Sequence, residues 1–166
     1  NIAEARLVVG KDGLRLQRVP EDVRRCLNER AQERMLSPAC AEIRFVSASP
    51  TVELTLSSDN VTDVVPFFGV FQSRPRFTIT EEPQTITITM PERLSQVEPA
   101  TYAGMPFTPN VVRLMLAGGP LYVHEIAGQA LHPPHPDELP RLRYLAHGTS
   151  IPHGAAATGP HLTYVG

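Results

Sequence analysis

Thr85-Ile86-Thr87-Ile88-Thr89-Met90 decides the fold. The large apolar residues fall on one side and the threonines on the other. A strand produces that period of two when one face meets a core and the other meets water. The pattern repeats outward from this stretch. Val52, Leu54 and Leu56 alternate with Glu53, Thr55 and Ser57, and Ile43 and Phe45 alternate with Glu42 and Arg44. Phe77 and Ile79 alternate with Thr78 and Thr80, and Val112, Leu114 and Leu116 form a further set. β-Branched residues in short alternating runs are the mark of half-buried antiparallel strands.

The turn chemistry points the same way. Lys11-Asp12-Gly13 separates two short apolar runs, and Gly118-Gly119 separates Val111–Leu116 from Leu121–Ile126. Both read as hairpin turns, because glycine accepts the positive φ that tight turns require. Six or more short strands with one helix predict a mainly β chain. We expect an antiparallel, jelly-roll-like β-sandwich over residues 1–130.

The helix is expected to open at Pro20, whose missing N–H would have had no partner at a first helical position. Glu21 and Asp22 suit the positive start of the helix. Val23, Cys26, Leu27, Ala31 and Met35 recur at helical spacing, and Pro38 stops the run. This apolar side should pack on a sheet, with Cys26 buried in it. Arg24, Arg25, Arg30 and Arg34 alternate with acids and read as a solvated face. Cys26 and Cys40 are too few for a disulfide framework and have no zinc-ligand spacing. They are expected as structural thiols, with a Cys26–Cys40 bridge as the lesser alternative.

Hydrophobic residues make up 42% of the chain, enough to bury a core, so global disorder is excluded. A net charge of −2 with no basic block gives no reason to expect nucleic acid. No apolar run approaches the ~18 residues of a membrane span. The start shows no basic region and apolar stretch of the secretory kind, which favours the cytoplasm, but the chain begins at Asn1 rather than a methionine, so localisation is left unknown and export open.

Composition changes at Leu131-His132-Pro133-Pro134-His135-Pro136-Asp137-Glu138-Leu139-Pro140, which is proline-rich, polar and reads as an interdomain linker over 131–140. His132 and His135 invite a metal reading. With no acids or cysteines recognised at ligand spacing, none is assigned, and neither metal nor cofactor is expected.

After the linker, Leu145-Ala146-His147-Gly148-Thr149-Ser150-Ile151-Pro152-His153-Gly154 resembles the first sequence block of the SGNH/GDSL serine hydrolases, in the variant reading approximately Leu-Ala-Tyr-Gly-Ser-Ser-Ile-Thr-His-Gly. Gly159-Pro160-His161-Leu162-Thr163-Tyr164 is similar to its continuation in a bacterial subgroup. Some members carry a jelly-roll domain ahead of the hydrolase domain, which matches the β-rich region in architecture alone. The residue-level resemblance spans roughly 139–164, with Thr149 and Pro152 as departures from the usual block.

The resemblance implies that residues 141–166 are the first strand and nucleophile turn of an incomplete α/β hydrolase domain. Ser150 would be the nucleophile, exposed by a turn that Gly148 permits, and its backbone N–H would donate to the developing oxyanion. The family takes its remaining oxyanion donors and its Asp-x-x-His base from later blocks, which these 166 residues lack. His147 and His153 therefore receive no catalytic role. The implied function is a serine esterase of small acyl esters, carbohydrate O-acetyl groups among them, and this chain alone should be inactive.

The alternative is a non-catalytic sandwich for carbohydrate binding or subunit assembly. Against a sugar platform, the chain has no tryptophan, and Phe67, Phe68, Phe71 and Phe77 fall in apolar runs typical of core. A sandwich that packs on a hydrolase domain, or pairs with a second subunit as a homo-oligomer, would need no such platform.

Overall fold

The computed structural model describes residues 2–142 and 157–162. Among these residues, ten strands form two antiparallel sheets. The first holds, in spatial order, β1 (Glu4–Leu7), β2 (Leu14–Gln17), β10 (Leu121–Ala127), β4 (Thr51–Ser58) and β8 (Gln84–Thr89). The second holds β3 (Glu42–Val46), β9 (Val111–Leu116), β5 (Thr62–Phe68) and β6 (Phe71–Gln72), with β7 (Phe77–Ile79) also paired to β5. From β2 to β5, and again from β7 to β10, successive strands alternate between the sheets, in the manner of a jelly roll.

The predicted alternation faces the core as expected. Leu54, Leu56, Ile86 and Ile88 from the first sheet meet Phe45, Val64, Phe68, Val112, Leu114 and Leu116 from the second in one cluster. The threonines of β8 face outward, and two of them pair with β4 as Thr51–Thr89 and Thr55–Thr85 across the sheet. β5 joins the strands read from sequence. It shows no alternation because both its faces are covered, Val64 and Phe68 toward the core and Val65 and Phe67 on the opposite side.

Two expectations are corrected. Gly118-Gly119 does not make a hairpin, because β9 belongs to the second sheet and β10 to the first. The glycine pair carries the chain across the sandwich. Gly119 has φ +62°, and a Cβ there would lie 2.7 Å from Ser58 Oγ. The Lys11-Asp12-Gly13 region does join a hairpin pair, β1 and β2, with Gly10 and Gly13 at positive φ.

The single helix is also corrected. The described residues contain four short helices: α1 (Glu21–Arg25), α2 (Glu29–Arg34), α3 (Glu92–Ser95) and α4 (Pro99–Tyr102). Pro20 is the N-cap of α1 rather than its first residue. The run breaks because the Asn28 side chain accepts from Ala31 N at 3.0 Å and starts α2 afresh. The expected apolar side does not form, since Val23 is 49% exposed and Cys26 is exposed. A polar staple anchors α1 in its place. Glu21 is buried beside the fully buried Gln17, with Arg24 Nε at 2.7 Å and Arg25 Nε at 3.0 Å. Those hydrogen bonds hold the Glu21 carboxyl well below the usual carboxylate range, so Arg24 is not part of a solvated face. Cys26 and Cys40 are not bonded to each other.

Candidate functional site

Ser150 and Gly148 lie outside the described residues, as do His147 and His153. The chain on either side of them is described, and both parts rest on the same surface, the face of the second sheet turned away from the core. Leu139 packs on Val46, Phe107 and Val111. Beyond the block, the 3-10 turn Pro160–Leu162 contacts β9. The His161 ring meets Phe67 edge-on with centroids 5.8 Å apart. Burial, with Arg76 nearby, holds the His161 imidazole below its ordinary pKa.

Sequence dictates this outer face by the same period of two that builds the core. Val46, Arg44 and Glu42 alternate with Phe45 and Ile43, and they stand opposite Val111, Arg113 and Met115 on β9. The face is nonetheless buried. Glu42 has a side chain only 4% exposed, paired with Arg113 and with Arg44 Nε at 2.6 Å. Arg113 also donates to Gly69 O at 3.0 Å. Its guanidinium lies 4.3 Å from the centroid of Phe107 and 5.4 Å from that of Phe67. A cation between two aromatic rings is favourable when desolvated. Taken alone, burial would push the Glu42 carboxyl up, but hydrogen bonds and charge from Arg113 and Arg44 outweigh it and keep the group ionised.

The proline-rich stretch is laid against the sandwich. Leu131 packs on the main core, and His132 pairs backbone with Val46, N to O at 3.1 Å and O from N at 2.9 Å. His135 leads into a 3-10 turn, Pro136–Glu138, which brings the side chain of Glu138 back over the histidines. Candidate ligand atoms of His132, His135 and Glu138 all lie within 4.8 Å of one another. The absence of a metal reading from sequence is corrected on this point: an acid does stand at ligand spacing, three residues after His135. Its carboxylate is oriented on both oxygens, Oε2 accepting from His135 N and Oε1 from Asn110 Nδ2, each at 2.8 Å.

Two other features were not read from sequence. Ser57 Oγ lies 2.9 Å from His124 Nε2, where β10 carries a bulge against β4. Ser57 is buried, one residue before the end of β4, so the pair locks the bulge and offers no exposed nucleophile. A cavity of about 410 Å³ opens at the sandwich edge, lined among others by Phe71, Arg74, Arg93, Thr87 and Thr89. No helix among the described residues is long and apolar enough to cross a membrane. Comparison with family models, curated proteins and solved structures finds no match.

Proposed function

We propose that this chain is the β-sandwich and nucleophile-bearing segment of an SGNH/GDSL-type serine esterase acting on small acyl esters, carbohydrate O-acetyl groups among them. The observation that carries the reading is the stretch Leu145–Gly154, a glycine-bracketed serine between an apolar pair and His153-Gly154. The packing of Leu139 and of Pro160–Leu162 on one face of the sandwich supports it.

In this reading Ser150 Oγ attacks the acyl carbonyl and its proton passes to a base. The resemblance supplies that base from polypeptide outside these 166 residues. The alcohol leaves with the proton, and water then releases the acid from the acyl-serine. The Ser150 N–H stabilises the oxyanion in both steps. The test is aryl acetate turnover by the natural, full-length protein and its Ser150→Ala variant. Loss of roughly a thousandfold in kcat supports the reading, and undiminished turnover overturns it.

A second reading, glycan binding by a non-catalytic sandwich, is favoured by the edge cavity, whose lining includes the aromatic Phe71 and the donors Arg74 and Arg93. Glycan-array binding that Arg93→Ala abolishes would establish it.

A further inference from the structure

We propose that His132, His135 and Glu138 form a site for a divalent transition-metal ion of the zinc class, which locks the turn from His132 to Glu138 in its folded-back form. Four observations converge on these residues. The three side chains bring candidate ligand atoms within 4.8 Å of one another, and the two imidazole centroids are 4.8 Å apart. Tetrahedral zinc with bonds of about 2.0–2.1 Å needs its donor atoms roughly 3.3 Å apart. The approach therefore requires only a small contraction, which the exposed His135 side chain can make by rotating.

The tautomer of His132 is the second observation. Its Nδ1 lies 2.8 Å from the carbonyl oxygen of Pro133, which can only accept. In this hydrogen bond Nδ1 is therefore the donor, and the neutral tautomer that makes it keeps its lone pair on Nε2. A backbone carbonyl on one ring nitrogen is how metal-binding histidines are commonly oriented.

Third, the carboxylate is pre-positioned. Asn110 and the His135 N–H each hold one Glu138 oxygen, and each oxygen retains a second lone pair for a metal. Fourth, the frame beneath is fixed. The paired bridge between His132 and Val46 ties one ligand to β3, and Asn110 lies immediately before β9. Two imidazoles and one carboxylate suit zinc better than calcium or magnesium, which take oxygen-rich shells. Three protein ligands leave a fourth position for water or another donor.

The experiment is calorimetric titration of the tag-free chain with Zn²⁺, alongside His135→Ala and the double variant His135→Ala/Glu138→Gln. Circular dichroism confirms that each variant is folded. Because His135 is exposed, its loss should leave the sandwich intact. The expected result is one Zn²⁺ per chain, weakened more than about tenfold in the single variant and further in the double. Co²⁺ should give the visible band of a tetrahedral site in the wild type only. Asn110→Ala, which removes a positioning residue and no ligand, should weaken Zn²⁺ by about ten- to a hundredfold with unchanged circular dichroism. Zn²⁺ should also slow proteolysis within 131–140, and a chelator should restore it. Wild-type affinity in the double variant, or no binding by the wild type, overturns the proposal.

Discussion

Replacing Arg113 by methionine probes the outer face of the second sheet where it carries most charge. Methionine keeps much of the apolar stem but removes the cation that lies over Phe107 and Phe67 and pairs with Glu42. The Glu42 side chain is 4% exposed, so it cannot recover its lost interactions from water. Removing one partner of a buried pair costs roughly 3–5 kcal/mol. Arg44 keeps its contact with Glu42 at 2.6 Å, and its own side chain is 27% exposed. That remaining cation brings the expected loss down to about 2–3 kcal/mol.

The pH dependence follows from the direction of the Glu42 shift. A carboxyl depressed in the folded state adds stability above its unfolded pKa, and loses that contribution as pH falls through the folded value. Without Arg113, Arg44 opposes burial with less help, so the folded carboxyl rises and the variant takes up a proton at higher pH than the wild type. The penalty should therefore be largest near neutral pH and shrink below about pH 4. Urea denaturation followed by far-ultraviolet circular dichroism reads both conditions in a chain that has no tryptophan. Glu42→Gln combined with Arg113→Met should recover most of the loss, since the pair then goes together. A loss under about 1 kcal/mol near neutral pH, or an equal loss at both pH values, would refute the account of a buried carboxylate held by Arg113.

Gly69 has φ +58°, and a Cβ there would lie 2.6 Å from the backbone oxygen of Thr108, whereas Gly104 has φ +83° and open space around it. Gly69→Ala should therefore lower thermal stability by well over the roughly 1–2 kcal/mol of left-handed strain alone that Gly104→Ala incurs. Equal melting temperatures for the two variants would contradict the clash. Leu114 is fully buried between the sheets, so Leu114→Ala should cost about 3–5 kcal/mol in denaturant titration. A cost near 1 kcal/mol would mean that the two sheets are not tightly packed there.

The sandwich was legible because its strands obey a local rule. Each of β3, β4, β7, β8 and β9 alternates, and alternation is visible within a few residues. β5 escaped because both faces are covered, and Pro66 within it weakened the signal further. The Gly118-Gly119 turn was visible, but which sheet its flanking strands join depends on pairings more than fifty residues away. One residue divides the expected helix. Asn28 caps α2 and divides the run, a signal available in Asn28-Glu29 but outweighed there by helical spacing.

The outer-face ion cluster was not legible, because Glu42 and Arg113 are 71 residues apart in sequence. The histidine cluster was nearly legible. His132, His135 and Glu138 stand at intervals of three, yet the prolines between them gave the stretch the look of a spacer. The 3-10 turn joins His135 to Glu138 locally, but the bridge of His132 to Val46 and the hydrogen bond from Asn110 that complete the cluster are long-range.

The most direct test of the esterase reading is to trap the nucleophile. The full-length protein would be treated with a fluorophosphonate, digested, and its modified peptide sequenced by mass spectrometry. The account predicts a single adduct on Ser150, absent from Ser150→Ala together with aryl acetate turnover. An adduct on another serine, or turnover that persists without Ser150, would contradict it.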